Sequence, residues 1–229
     1  MNISENIKAI RHRISCACDL VGRDPEEIEV VAVSKTVGPD EIREALKCGI
    51  SNIGENRVQD AWKKYQSLKD MNVKWHMIGH LQRNKVKHAL KFFNMIQSLD
   101  SLELAHEISR RLATSDRHIE ILIEVNTSGE PSKFGIRPEE TIDFVYQVSE
   151  IPLLKILGLM TIGAFLPEPE DVRPCFRTLR KLFETLSKQK IENVTMKYLS
   201  MGMTNDFEVA IQEGANMVRI GRAIFETVN

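Results

Sequence analysis

The sequence contains few cysteines, and their spacing excludes the familiar zinc and thiol–disulfide motifs. The four cysteines are Cys16, Cys18, Cys48 and Cys175, and no two of them are separated by the two or four residues of those motifs. Cys16 and Cys18 lie two positions apart on a predicted helix, where side chains i and i+2 point to different faces. We therefore expect free thiols in a protein of a reducing compartment.

The sequence also lacks a large net charge, a signal peptide and a membrane-length apolar run. Its 31 basic and 32 acidic residues leave a net charge of -1, which gives no field to attract nucleic acid or anionic membrane. The most apolar stretch, residues 151–166, contains Lys155 and is shorter than the roughly 20 residues that a membrane helix needs. The first residues lack the basic start and apolar run of a secretory signal. We expect a soluble, cytoplasmic protein that binds neither nucleic acid nor membrane.

Short apolar runs alternate with amphipathic segments along the whole sequence, which is typical of a parallel sheet wrapped by helices. The eight runs are residues 29–34, 50–54, 74–78, 95–98, 119–126, 155–160, 198–201 and 217–220. Helical spacing marks residues 39–47, 57–68, 83–91, 101–113, 138–149, 169–188 and 205–213, and an additional helix at 4–21 precedes the first run. No linker divides the sequence. These patterns predict an α/β fold, a single (β/α)8 TIM barrel with an extra N-terminal helix, as one domain over residues 1–229.

An open, doubly wound sheet is the alternative for eight alternating units. Its phosphate-binding fingerprint, G-x-G-x-x-G after the first strand, is absent from the sequence, which favours the barrel. In a barrel, chemistry gathers at the carboxyl ends of the strands. The residues that follow each run are therefore the candidates for a functional site.

Lys35 directly follows the first run. Burial disfavours its charged form and would lower its pKa, and a neutral lysine amine is a nucleophile that forms Schiff bases with aldehydes. A lysine at a strand end can also extend its amine into solvent, and position alone favours that interpretation.

Two glycine-containing segments favour the Schiff-base interpretation of Lys35, because they lie where barrels commonly bind phosphate. Ser200-Met201-Gly202-Met203-Thr204 follows the seventh run, and Gly221-Arg222 follows the eighth. Glycine permits a close backbone approach, Ser200 offers a hydroxyl, and Arg222 offers a cation. Together with a lysine at the mouth, they indicate a phosphorylated aldehyde as ligand.

Arg219 lies inside the eighth run, which is otherwise suited to burial. A buried guanidinium stays charged and needs partners. It is either structural, held by a carboxylate such as Glu124, or it faces a ring nitrogen of a cofactor. In the second case the cation would keep that nitrogen unprotonated and weaken the ring as an electron sink.

Three further features stay ambiguous in the sequence. Asn56 could donate to a ring oxygen or begin the following helix. His76 and His80 are four apart, but no glutamate lies at position 77, so we expect no metal site. The polar loop of residues 126–135 either lines the mouth or is a solvated turn.

Six segments in order resemble the pyridoxal-phosphate homeostasis protein family, whose fold is similar to the N-terminal barrel of alanine racemase. They are residues 32–36, 54–56, 76–82, 158–160, 200–203 and 218–221, and the resemblance extends from about Val30 to Phe225. It implies that Lys35 forms a Schiff base with pyridoxal 5'-phosphate and that Arg219 faces the pyridine nitrogen. It also implies that Ser200, Gly202, Gly221 and Arg222 surround the phosphate, and that Asn56 and Met160 lie along the ring.

The resemblance further implies a cofactor carrier in homeostasis rather than an enzyme, with apo pyridoxal-phosphate enzymes as candidate recipients. A racemase needs acid and base groups on both faces of its substrate. The alanine racemase family draws one from a second, β-rich domain, and only nine residues follow Ile220 here. We assign no catalytic residue, since an opposing tyrosine could come only from Tyr65, Tyr146 or Tyr198 and none is evidently placed for that role. We also expect a monomer. A weak racemase or other pyridoxal-phosphate enzyme, and a cofactor-free Schiff-base aldolase, are the alternatives.

Overall fold

A computed structural model describes residues 2–115 and 117–226, and its central feature is a closed barrel of eight parallel strands. Each strand pairs with the next one in sequence, and the last pairs with the first, where Val31 lies opposite Arg219. The strands are β1 Glu29–Val33, β2 Asn52–Glu55, β3 Lys74–Met77, β4 Met95–Leu99, β5 Ile119–Glu124, β6 Leu154–Met160, β7 Val194–Ser200 and β8 Met217–Ile220. The predicted (β/α)8 barrel is confirmed, and the open-sheet alternative is wrong.

Helices alternate with the strands over the described residues. They are α1 Ile3–Asp19, α2 Pro39–Lys47, α3 Val58–Ser67, α4 Val86–Ala89, α5 Leu102–Leu112, α6 Thr141–Ser149, α7 Arg173–Ser187, α8 Phe207–Gln212 and α9 Arg222–Phe225. Short 3-10 turns precede β1, α4, α6 and α7. Each helix in this part of the chain is too short or too polar to cross a lipid bilayer.

The predicted N-terminal helix is confirmed as α1, and its start is capped. Asn2 Oδ1 accepts the Glu5 backbone N–H at 2.9 Å, and Glu5 Oε2 accepts the Asn2 N–H at 3.0 Å. One face of α1 is apolar and packs against α2, α8 and α9. The buried Asn6 side chain donates to the Ile224 carbonyl at 3.0 Å, which ties α1 to the last described helix.

Most element boundaries lie within two residues of the sequence prediction, and the larger differences are at β7 and at the predicted helix of residues 83–91. β7 begins at Val194, four residues before the predicted run, because residues 194–197 alternate half-buried and exposed positions instead of forming an apolar run. The predicted helix at 83–91 consists of a 3-10 turn and the short α4. The C-terminal α9 was not predicted, since four residues are too few for a periodic signal.

Apolar side chains from six strands fill the barrel interior. Side chains from six strands of a closed barrel can form one cluster only in its interior. The members of this cluster are Val31, Met95, Leu122, Met160, Tyr198 and Met217. Polar side chains replace them towards the carboxyl ends of the strands, where Glu124, Ser200 and Arg219 are buried. The packed interior therefore forms the floor of any site at this end.

Candidate functional site

A cavity of about 420 Å³ opens at the carboxyl ends of β1 and β8. We call it the Lys35 cavity. Its wall includes Lys35, Arg219 and segments of the loops that follow β6 and β7. Asp206 and Gly221, the residues that directly precede α8 and α9, also line it, so the starts of two helices lie at the cavity wall. First-turn N–H groups lack partners within their own helix, which suits an anion.

Lys35 lies in a turn after β1, which the Val37 N–H closes by donating to the Ser34 carbonyl at 3.1 Å. Its side chain is exposed at the cavity mouth, as in the solvent-extended interpretation. The backbone beneath it is held by a buried ion pair. Lys64 Nζ donates to Glu55 Oε1 at 2.7 Å and to the Ser34 carbonyl at 2.5 Å, and Ser34 Oγ donates to Glu55 Oε1 at 2.5 Å.

Sequence reasoning missed this support of the Lys35 turn. Glu55 was noted only as part of a segment, and Lys64 only as a helical position. The available signal was the inner face of α3, where Lys64 follows the buried Val58 and Ala61 at three-residue spacing. A lysine on such a face needs a buried partner.

The segment after β7 requires a glycine at position 202. Gly202 has φ +91°, and a Cβ there would lie 2.5 Å from the Ala210 Cβ and 2.9 Å from the Phe207 Cα. Asp206 Oδ1 accepts the Met203 N–H at 2.6 Å, and burial raises the pKa of Asp206 above its usual range. Gly202 thus allows the segment to pack closely on α8 below the cavity.

Arg219 is buried at the base of the cavity. Its Nη1 donates to Ser200 Oγ at 2.6 Å, and its Nη2 donates to the Thr161 carbonyl at 2.7 Å. Burial lowers the pKa of Arg219 to about 10, while Glu124 and Asp206 partly oppose this shift. The guanidinium therefore remains charged at neutral pH.

The suggested ion pair between Arg219 and Glu124 is not formed, although both residues belong to the described part of the chain. Arg219 meets a hydroxyl and a carbonyl instead. Glu124 is buried at the end of β5, and its pKa is raised to about 7 by burial and by Asp100, against the opposing effect of Arg219. Glu124 can thus gain or lose a proton near neutral pH.

The eight predicted site residues do not all meet. Lys35, Arg219, Gly221 and Arg222 line the Lys35 cavity. Gly202 lies beneath it, and Ser200 is fully buried with its hydroxyl donating to Gln97 Oε1 at 2.7 Å. Met160 belongs to the interior cluster, and the exposed Asn56 lines a separate cavity beside Arg57 and Lys85. Their roles toward a cofactor stay predictions.

The loop of residues 126–135 lies over the barrel mouth, as in the first of its two interpretations. Lys133 Nζ donates to the Gly163 carbonyl in the loop after β6, at 2.9 Å. The Phe134 ring stacks on His80 with 3.9 Å between ring centroids and 12° between planes. The loop is therefore anchored to two neighbouring segments of the mouth.

His76 and His80 have different partners. The buried His76 ring contacts Asn52 and Gln97, and burial together with Lys74 lowers its pKa to about 3. His80 Nδ1 lies 3.0 Å from Asp100 Oδ2. In the described ranges, no three His, Cys, Asp or Glu side chains come together as a metal site.

The tyrosines lie away from the Lys35 cavity. Tyr198 donates to Glu29 Oε1 at 3.1 Å at the opposite end of the barrel, and Tyr146 donates to Gln189 at 3.0 Å. Tyr65 packs among the aromatic rings of α3 and its surroundings. In this structure none of the three, all described, lines the cavity wall.

Comparison with known proteins places this chain in a family. Residues 6–227 match the family model described as alanine racemase, N-terminal domain. The pyridoxal phosphate homeostasis protein of Aquifex aeolicus (strain VF5) is 46% identical over 225 residues, which cover 98% of each chain. The chain belongs to the pyridoxal phosphate homeostasis protein family. The resemblance noted in the sequence is thereby confirmed.

Solved structures agree with this membership. PipY of Synechococcus elongatus PCC7942 without pyridoxal phosphate matches with a TM-score of 0.87 and 31% identity, over 98% of this chain and 100% of PipY. PipY with pyridoxal phosphate bound matches with a TM-score of 0.85 and 30% identity, over the same shares. Alanine racemase of Clostridium difficile 630 shares the fold, with a TM-score of 0.73 and 16% identity over 99% of this chain and 56% of the racemase. This homeostasis protein family member thus corresponds to the barrel part of the racemase.

Proposed function

We propose that this chain binds pyridoxal 5'-phosphate as a Schiff base on Lys35 and serves in intracellular homeostasis and delivery of the cofactor, without robust catalysis. The observation that carries the proposal is the cavity that Lys35 and Arg219 share with the start of α9. Full-length similarity to PipY, which has a structure with pyridoxal phosphate bound, supports the choice of ligand.

The residues of the cavity fit this cofactor. Lys35 offers a primary amine, which condenses with an aldehyde and releases water. The start of α9 and the cation of Arg222 suit a phosphate. Gly221 allows the start of α9 to pack closely on the end of β1, since a Cβ there would lie 3.1 Å from the Val33 carbonyl oxygen. The cofactor would supply the aldehyde and an electron-poor ring.

Arg219 supports a carrier rather than an enzyme. Its guanidinium is fixed by Ser200 and Thr161 and remains charged at neutral pH. A cation facing the pyridine nitrogen disfavours protonation of that nitrogen, because two positive charges would then be close together. An unprotonated ring is a poorer electron sink, so carbanion chemistry would be slow.

A weak racemase or other pyridoxal-phosphate enzyme is the second candidate, and Glu124 is the observation that favours it. Its pKa of about 7 would allow it to exchange protons near neutral pH. No tyrosine among the described residues lines the cavity to act on the other face of a substrate. The carrier function therefore has the stronger support.

Two assays on the cofactor-loaded protein separate these functions. A carrier monomer should activate apo pyridoxal-phosphate enzymes faster than an equal concentration of free cofactor does. It should also exchange the α-proton of amino acids into deuterated water no faster than free cofactor does. Catalytic exchange that disappears in Lys35→Ala, and persists in the exposed-lysine control Lys47→Ala, would support the enzyme instead.

A further inference from the structure

A line of hydrogen-bonded side chains begins at Arg219 and enters the barrel interior. Arg219 donates to Ser200 Oγ at 2.6 Å, and Ser200 donates to Gln97 Oε1 at 2.7 Å. Gln97 Nε2 lies 3.0 Å from His76 Nδ1. These four residues come from β8, β7, β4 and β3, so the contacts cross the interior between strands that are distant in sequence.

The line continues to the amino ends of the strands. His76 Nε2 lies 3.1 Å from Asn52 Oδ1, and Asn52 Nδ2 donates to Glu29 Oε2 at 3.3 Å. Glu29 also accepts the Tyr198 hydroxyl at 3.1 Å. A second cavity, of about 640 Å³, is lined there by Glu29, Asn52 and Lys74. We call the six residues from Arg219 to Glu29 the interior network, and it spans the barrel.

The amide atoms of Gln97 and Asn52 fix the direction of the bonds within the interior network, because an amide nitrogen only donates hydrogen bonds and an amide oxygen only accepts them. Arg219 can only donate at one end, and the Glu29 carboxylate can only accept at the other. Each side chain between them accepts one bond on the Arg219 side and donates one on the Glu29 side. Gln97 meets this condition with its carbonyl toward Ser200 and its amide N–H groups toward His76 and the Met217 sulfur.

This direction determines the proton of His76. Its Nδ1 must accept from Gln97, and its Nε2 must carry the proton that is donated to Asn52. An imidazolium would present two donors and would break the line at Gln97. The burial of His76 agrees with a neutral ring.

We propose that Gln97 and His76 are positioning residues that hold Arg219 in the orientation it presents to the Lys35 cavity. Gln97 takes the hydroxyl proton of Ser200, which leaves the Ser200 oxygen to accept from Arg219. His76 in turn fixes the amide orientation of Gln97. The effect on cofactor binding rests on the proposed function, whereas the protonation of His76 does not.

The first test is nitrogen NMR of the histidine rings in the protein without cofactor, with the His76 signal assigned by its loss in His76→Gln. We expect His76 to remain a neutral ring protonated on Nε2 between about pH 5.5 and 8.5. Gln97→Glu, checked for folding by circular dichroism, offers only acceptors and should move a proton to His76 Nδ1. A wild-type His76 that titrates in this range, or that is protonated on Nδ1, would overturn the proposed network whether or not the protein binds pyridoxal 5'-phosphate.

The second test is the dissociation constant of pyridoxal 5'-phosphate in matched variants. His76→Leu removes the acceptor and the donor and should weaken binding roughly tenfold, whereas His76→Gln keeps one of each and should remain within about threefold of the wild type. His106→Leu, at an exposed position on α5, is the control that should not change affinity. Equal losses of affinity in His76→Leu and His76→Gln would contradict positioning through hydrogen bonds. If the wild type bound no cofactor at all, the proposed function would fail, and the NMR test on the cofactor-free protein would still decide the interior network.

Discussion

Glu124 and Arg219 are both buried near the carboxyl ends of their strands, and burial shifts each pKa toward the neutral form. Arg219 keeps its charge because two oxygens accept its hydrogen bonds. Glu124 has only the more distant charges of Asp100 and Arg219, which act in opposite directions. At the scale of single residues, the site therefore combines a fixed cation with a carboxyl that titrates near neutral pH.

The raised pKa of Glu124 predicts that the free energy of unfolding depends on pH, and Glu124→Gln should remove this dependence. The folded pKa of Glu124, about 7, lies above its usual value of 4.5, so the folded state binds the proton more tightly than the unfolded state does. The associated stability is complete below pH 4.5 and is lost as the pH rises to about 7, by at most about 3 kcal/mol. Urea unfolding at a series of pH values measures it. If the free energy of unfolding changed with pH equally in the wild type and in Glu124→Gln, the raised pKa of Glu124 would be contradicted.

The buried pair of Lys64 and Glu55 gives a second prediction at the residue scale. Lys64→Ala leaves Glu55 buried without its cation and should lower the free energy of unfolding by about 3–5 kcal/mol. Arg180→Ala breaks the exposed pair with Glu184 and should cost less than about 1 kcal/mol. Urea unfolding of both variants at pH 7 provides the comparison. Similar losses would show that the Lys64 pair contributes no more than a surface contact.

Single site residues could be predicted from the sequence where they follow or interrupt an apolar run. Lys35, Gly221 and Arg222 were found because each follows an apolar run, and Arg219 because a charge interrupts one. The pairing of Lys64 with Glu55 was missed because the spacing on α3 indicates that Lys64 is buried but does not identify its partner. The packing of α3 on β2 brings the two side chains together, and such a pair between two elements has no sequence period.

At the scale of elements, the segment between β7 and α8 depends on Gly202. Gly202→Ala would bring a Cβ within 2.5 Å of Ala210 while keeping φ at +91°, so α8 must shift away from the cavity. We expect a loss of about 2–4 kcal/mol in stability and weaker binding of pyridoxal 5'-phosphate. Thermal unfolding and a binding titration measure the two effects.

Gly22→Ala is the matched control for this prediction. Gly22 also has a positive φ, +66°, but a Cβ there would have no heavy atom within 4 Å. Only the backbone strain of about 1–2 kcal/mol should remain, with cofactor binding unchanged. If both variants lost the same stability and neither lost affinity, close packing of the β7–α8 segment would not matter for the site.

Most elements could be predicted from periodicity, and the exceptions have physical reasons. α2 and β8 have the predicted boundaries, because α2 begins at a Gly-Pro pair and β8 is a short, fully buried run that ends at Gly221. β7 starts earlier than predicted because its first half faces solvent on one side and is only half-buried on the other. A strand of this kind alternates, and a search for apolar runs detects only its buried end.

At the scale of the whole molecule, the alternation of strands and helices was sufficient to predict a closed barrel, but not its interior network. The network joins six strands through Arg219, Ser200, Gln97, His76, Asn52 and Glu29. Which of these side chains meet depends on the register between strands and on the tilt that closes the barrel. Neither quantity can be read from the composition of a single strand.

The proposed function depends on a Schiff base between Lys35 and pyridoxal 5'-phosphate. The most direct measurement is to mix the protein with pyridoxal 5'-phosphate, reduce it with borohydride, digest it and map the adduct by mass spectrometry. We predict one stable adduct per chain on the peptide that carries Lys35, in the wild type and in Lys47→Ala but not in Lys35→Ala. No adduct, or an adduct on other lysines that persists equally in Lys35→Ala, would contradict the account.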